Sequence, residues 1–151
     1  IQWASEGVNL RFIELMETGE NRSYFEEHHL SGDVLVEKLQ KNGWLEAPRD
    51  ALGGPARVWK HTDQAGSVGL IAPYSKDFCT TCNRLRVSAK GGLHLCLFGD
   101  GGHDLRPLLQ RDSDKDALKE TICELLDLKV AGHGLHEHNT GATPHFASIG
   151  G

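Results

Sequence analysis

Apolar and polar residues alternate along Val8–Leu15, in Val-Asn-Leu-Arg-Phe-Ile-Glu-Leu, and β-branched residues occur among them. This pattern predicts a strand. It runs into the polar loop Met16–Asn21, the kind of strand end at which α/β proteins place ligand contacts. Arg11, in the middle of the strand, needs either a partner or an edge position where water solvates it. Ser31 is a good N-cap for a helix ending near Lys41, with Val34, Leu35 and Leu39 on the buried face and Gly43 as the stop. Gly53-Gly54-Pro55 reads as a turn, and Ala56–Lys60 and Ser67–Ala72 as two paired strands. Arg84–Ser88 and Leu93–Leu97 are two apolar runs around Gly91-Gly92, which predicts a β-hairpin.

Further on, Phe98–His103 reads as a flexible connection. Asp104 can cap a short helix over Leu105–Gln110, with Pro107 tolerated in its first turn. Ser113 can cap a longer helix to about Lys129, in which Leu118, Ile122, Leu125 and Leu126 recur at helical spacing. Cys123 falls inside that stripe and is expected to be a small core residue. From Ala131 onward a loop is expected. It carries His133, His136, His138 and His145, and the sequence ends in Gly150-Gly151. His-rich stretches bind metals, but these residues lack helix or strand spacing. His28 and His29, being adjacent, diverge rather than aim at one ion.

Composition narrows the class. A length of 151 residues suits one domain, or one small domain plus an appendage, and allows a real core. The net charge of −5 gives no overall field for nucleic acid or anionic membranes, so any anion site must be built locally. No apolar run reaches the 18 residues of a membrane span, and no secretory leader is visible. The sequence opens on Ile1 rather than Met, which suggests a piece of something longer. Four cysteines without a secretory feature point to reduced thiols and a metal rather than to disulfides.

Three of those cysteines carry the chemistry. Cys79 and Cys82 form a Cys-x-x-Cys turn, which aims two thiolates at one centre. The predicted hairpin returns Cys96 beside them. Arg84 and Arg86 alternate with Leu85 and Val87, so both guanidiniums project from one face of the strand next to the thiolates. Soft thiolates suit zinc or an iron–sulfur cluster, and three of them leave one coordination position open. His94, two residues before Cys96, faces the same side and could close a structural zinc site with no catalytic role.

The run Asp77-Phe-Cys-Thr-Thr-Cys-Asn-Arg-Leu-Arg86, with Leu95-Cys-Leu-Phe-Gly-Asp100, resembles the C-terminal cluster segment of the GTP 3′,8-cyclase family. These are radical S-adenosylmethionine lyases that open molybdenum cofactor biosynthesis. Arg11-Phe-Ile-Glu-Leu-Met16 is similar to the family's late barrel strand. Gly53-Gly-Pro55, Leu70-Ile-Ala-Pro73 and Ile149-Gly-Gly151 also fit. The likeness runs over essentially the whole chain, in order, and covers about the second half of the family's protein.

The resemblance implies an α/β fold: a late strand of an incomplete TIM-type barrel, then a small C-terminal α+β region with a cysteine-bearing β-hairpin. Residues 1–30 would be the barrel remnant and residues 31–151 the cluster- and GTP-binding region. Family members convert GTP to (8S)-3′,8-cyclo-7,8-dihydroguanosine 5′-triphosphate with two [4Fe–4S] clusters. One cleaves S-adenosylmethionine to a radical that abstracts hydrogen from the ribose C3′, and its Cys-x-x-x-Cys-x-x-Cys motif is absent from this sequence. The other is held by three cysteines that match Cys79, Cys82 and Cys96, and its open iron takes the purine of GTP. By the same resemblance Arg84, Arg86, the Leu85 backbone and Arg11 contact GTP, Met16 touches S-adenosylmethionine, and Gly150 and Gly151 reach into the active site. It further implies a cytoplasmic protein, a homodimer at full length, and a segment inactive alone. A sulfur carrier with a Gly-Gly terminus is a third reading, but those proteins are small single sheets without a three-cysteine hairpin.

Overall fold

Strand β4 (Ser67–Ile71) lies between two partners, and its composition reflects this: four of its five residues are buried. It pairs in parallel with β1 (Leu10–Ile13) and antiparallel with β3 (Arg57–Lys60), which in turn pairs with β2 (Leu45–Glu46). The result is an open mixed sheet in the order β1-β4-β3-β2. The computed structural model describes residues 2–49, 53–80, 82–142 and 144–149. They form two compact units, one of residues 1–16 and 24–78 and the other of residues 17–23 and 79–151.

Helix α1 (Arg22–His28) ends in the irregular stretch of the first unit from which α2 (Asp33–Lys41) begins. The cap of α2 is Gly32 rather than the expected Ser31, whose hydroxyl accepts a hydrogen bond from the Asp33 N–H at 3.2 Å from one residue earlier. Gly43 ends the helix at φ +78, a left-handed conformation that suits a residue without Cβ. The core joins Leu39, Trp44, Trp59, Val68 and Leu70, with Leu35 and Val36 packed against it. Val34, expected on the buried face, is 43 % exposed. The inward stripe runs through positions 35, 36 and 39 instead, the side chains that meet the sheet-side core. Strand β1 has β4 as its one described strand neighbour, and Phe12 and Ile13 are exposed. The mixed α/β class is as predicted, but the described sheet is open and does not itself form a barrel.

In the second unit, β5 (Arg86–Val87), β6 (Gly92–His94) and β7 (His103–Asp104) form an antiparallel sheet in that order. The turn between β5 and β6 is tied by Gly91 N–H to Ser88 O at 2.9 Å and by Gly92 N–H to the Ser88 hydroxyl at 3.1 Å. The predicted hairpin forms, but it is shorter than expected. Cys79 and Cys82 precede it and Cys96 follows it, so the cysteines lie in irregular chain rather than on strands. The expected connection at 98–103 ends in strand β7. The helix expected over 105–110 with Asp104 as its cap is only a 3-10 turn over Arg106–Leu108 capped by Leu105, and Asp104, the residue before that cap, accepts from the Arg106 N–H at 3.0 Å.

Helix α3 (Lys115–Leu126) begins after a 3-10 turn at Asp112–Asp114, later than its proposed cap at Ser113. Its apolar stripe is only half-buried, and Cys123, one position off that stripe, is exposed rather than in the core. The tail expected as loop contains 3-10 turns at Leu135–Glu137 and Phe146–Ile149, because Leu135 and Ile149 are buried there. No helix among the described residues is long and apolar enough to cross a membrane.

Leu39 is fully buried and Val34 is exposed one turn earlier on the same helix. Leu39→Ala is expected to destabilise the first unit by about 2–5 kcal/mol, and Val34→Ala to stay within about 0.5 kcal/mol, read from urea unfolding monitored by Trp fluorescence. Equal losses for the two would reject this packing.

Candidate cluster and anion site

The Cys79, Cys82 and Cys96 thiols are each half-buried, and burial is the first cause pushing the Cys79 thiol above its ordinary pKa. The charge on Cys96 pushes it further up, and that on Cys82 adds to the shift. Cys79 therefore lies within electrostatic reach of both other sulfurs, although 17 residues separate it from Cys96. Thiolates gathered in this way repel each other, and a cationic metal core relieves the repulsion. Two of the sulfurs also receive backbone hydrogen bonds. The Phe98 N–H donates to Cys96 Sγ at 3.4 Å, and the His133 backbone N–H donates to the Cys79 sulfur. Such donors stabilise thiolate and are among the features that tune iron–sulfur centres.

Among the described residues, no three His, Cys, Asp or Glu side chains converge tightly enough to hold a single metal ion. A zinc ion needs its sulfurs roughly 3.8 Å apart, the edge of a tetrahedron with 2.3 Å bonds. A cubane binds each cysteine at a different iron corner and so takes a wider set. His94, the proposed fourth zinc ligand, lies on β6 opposite Arg86. Burial first, and then Arg86 and His103, push its pKa down and favour the neutral ring.

Arg84 and Leu85 are exposed in the irregular chain ahead of β5, while Arg86 is half-buried on the strand. Arg84 thus lies outside the strand that was expected to carry both guanidiniums. Asp104, one carboxylate that could have tied them down, is engaged by Arg106 through two side-chain contacts of 2.9 and 2.7 Å. Those hydrogen bonds pull its pKa to about 2.

Sequence reasoning missed Lys129, whose ammonium donates to the backbone carbonyls of Arg84 and Leu95. Its charge also acts on the Cys79 sulfur, lowering that pKa. The one available signal was a lysine just past a helix end, too common to single out. Sequence reasoning also missed Glu17, which is buried with its carboxylate 2.7 Å from His138 Nδ1. This contact accounts for one residue of the His-rich segment. His133 and His136 stack on each other, with ring centroids 5.9 Å apart.

The first unit holds the other candidates. Arg11 lies on β1 opposite Gly69 of β4. A Cβ at Gly69 would come within 2.6 Å of Arg11 Cδ, so the missing side chain is what lets the arginine lie across the strand. Its Nη1 donates to Leu10 O at 3.0 Å and to the Ser67 hydroxyl at 3.4 Å, and that hydroxyl in turn donates to Asn9 Oδ1 at 2.7 Å. Arg11 also lines a cleft of about 870 Å³ with Arg49, Arg57, Lys60 and Lys76. The Gly53-Gly54-Pro55 turn forms part of its wall.

Arg57 is committed to Glu46 through a bidentate pair of 2.8 and 2.6 Å. That hydrogen bonding is the first cause holding the Glu46 carboxyl below its usual range. Asp33 and Asp77 also line the cleft, which retains an excess of basic groups. Met16 is half-buried just beyond β1. Gly150 and Gly151 lie outside the described residues.

Comparison with known proteins gives this arrangement its context. The family model described as Molybdenum Cofactor Synthesis C matches residues 8–135. Two proteins named GTP 3′,8-cyclase, from Stenotrophomonas maltophilia strains K279a and R551-3, are each 62 % identical over 143 residues. The aligned part is 95 % of this chain and 44 % of each relative, so the chain spans less than half the length of the curated relatives it matches. With the family model covering most of its length, including all three clustered cysteines, Arg11 and Arg84–Arg86, this chain belongs to the Molybdenum Cofactor Synthesis C family.

Proposed function

We propose that this chain is the [4Fe–4S]- and GTP-binding portion of a GTP 3′,8-cyclase. The whole enzyme would convert GTP to (8S)-3′,8-cyclo-7,8-dihydroguanosine 5′-triphosphate in molybdenum cofactor biosynthesis. The observation that supports this best is the gathering of the Cys79, Cys82 and Cys96 sulfurs, two of them hydrogen-bonded by backbone N–H groups, next to the chain that carries Arg84 and Arg86. The donor set fits: three thiolates serve three irons of a cubane and leave the fourth for a ligand from outside. When bound, the cluster supplies a Lewis-acidic iron for the purine.

The remaining roles belong to the chain's own groups. Arg84 and Arg86 bind the charged part of GTP, with the Leu85 backbone beside them, because guanidinium forks match phosphate oxygens. Arg11, held in position by Gly69 and Ser67, serves the triphosphate from β1. Met16 contacts S-adenosylmethionine, and Gly150 and Gly151 enter the active site without side chains to obstruct it. In this reading residues 1–30 continue a barrel, and residues 31–151 carry the cluster and nucleotide. S-adenosylmethionine and a second [4Fe–4S] cluster belong to the length that the relatives have beyond this chain. The whole protein is read as a cytoplasmic homodimer.

Three outcomes check this reading. Anaerobic reconstitution with iron and sulfide is expected to give a brown chain. Cys→Ser at 79, 82 or 96 should abolish iron binding, and Cys123→Ser should spare it; normal iron in the Cys96 variant rejects the ligand set. The chain alone, given S-adenosylmethionine and a reductant, is expected to make no 5′-deoxyadenosine, and detection of that product by chromatography contradicts the assignment of the radical step to the missing length. In the full-length cyclase, Arg84→Ala or Arg86→Ala should each weaken GTP binding by about 1.5–3 kcal/mol, roughly tenfold to a hundredfold, with iron content and melting temperature unchanged. Parent-like GTP affinity in both variants removes their nucleotide role and leaves only the metal site.

A further inference from the structure

Lys129 occupies a distinctive place in the second unit. The β5–β6 ladder pairs Val87 with Leu93 and Arg86 with His94 and then stops. Continued in the same register, it would pair Leu85 with Leu95 and Arg84 with Cys96. At that point the Lys129 ammonium takes over, donating to Arg84 O at 3.1 Å and to Leu95 O. Arg84 is two residues past Cys82, and Leu95 immediately precedes Cys96. One side chain from beyond α3 therefore joins the two cysteine-bearing segments where their backbones no longer bond to each other. An ammonium suits this task, because it is a compact group with three donors that can serve two carbonyls arriving from different directions.

We propose that Lys129 is a positioning residue of the cysteine site, holding the Cys82 and Cys96 segments at a fixed separation and setting a positive charge beside the sulfurs. The inference rests on the cluster reading above. The clamp replaces ladder hydrogen bonds that would draw the two segments to strand spacing, and so leaves room between sulfurs that must reach different irons. The charge acts on the site directly, since it already bears on the Cys79 sulfur. A cation near an iron–sulfur centre favours the reduced form, because net charge and hydrogen bonding set the potential.

The test uses this chain, reconstituted anaerobically with ferrous iron and sulfide, as parent, Lys129→Met, Lys129→Gln and Lys129→Arg. Lys119→Met on α3, where the exposed parent ammonium meets Asp116 at 3.3 Å, is the surface control. Two quantities are read: retention of iron against a chelator, and the midpoint potential from a reductive titration followed by electron paramagnetic resonance. Lys129→Met is expected to hold iron about tenfold less tightly, the usual scale for loss of an outer-shell partner, and to shift the midpoint to more negative potential. Lys129→Arg should restore most of both, and Lys119→Met should change neither.

Lys129→Gln keeps an amide donor without the charge. It is expected to stay folded by circular dichroism and still show the negative shift, so it carries the test if Lys129→Met unfolds. Parent-like iron retention and midpoint in the Met and Gln variants overturn the role of Lys129 while leaving the cluster intact. Equal losses in Lys119→Met overturn it as well. A parent that takes up no iron overturns the cluster reading, and this inference with it.

Discussion

The second unit is arranged around a cost, the gathering of three ionisable sulfurs in partly buried space. Burial and the neighbouring sulfurs both push the Cys79 thiol up, which favours its protonated form. The surrounding chain offsets this with positive partial and full charges. Backbone N–H groups from Phe98 and His133 approach two sulfurs, and the Lys129 ammonium stands near the third segment. The short hairpin, its tight Ser88–Gly91 turn and the ordered tail around the buried Leu135 all bring these donors to the same place. The proposed cationic core would complete a balance that the protein alone leaves one-sided.

The first unit solves a different problem with a different device. An arginine in the middle of a strand requires space beside the neighbouring strand and a partner for its guanidinium. Gly69 supplies the space, and Ser67, itself fixed by Asn9, supplies a partner. The stem of Arg11 can then lie on the sheet while its charge joins the basic lining of the cleft. The neighbouring Arg57 shows the contrast. Its bidentate bond to Glu46 and its position 4.9 Å above the Trp59 ring commit it to holding β2 against β3. Among the cations of one cleft, Arg57 builds the wall while Arg11 lies across a strand.

The proposed chemistry depends on keeping those roles separate. Thiolates that carry a cluster cannot also serve as bases, and arginines locked in ion pairs cannot change partner for a phosphate without leaving a carboxylate unpaired. Asp104 is taken by Arg106 and Glu46 by Arg57. These local pairs remove two carboxylates that would otherwise compete for the guanidiniums proposed to bind GTP.

Much of this was legible in the sequence because it is written in local signals. Alternation located β1, β3 and β4, Gly43 marked the end of a helix, and the Gly91-Gly92 pair marked a hairpin turn. The cysteine spacing with Arg84 and Arg86 pointed to the family. What the sequence could not supply depends on contacts between distant residues. The inward face of α2 and the exposure of Cys123 follow from how each helix meets its neighbours, which periodicity constrains only to within a residue or two. The length of the hairpin, the order in the tail around Leu135 and the Glu17–His138 contact are decided by long-range packing. The same is true of Gly69, an unremarkable strand glycine until Arg11 lies across it, and of Lys129, whose bonds reach 45 and 34 residues back along the chain. A sequence records which groups are present, but only the folded chain decides which of them meet.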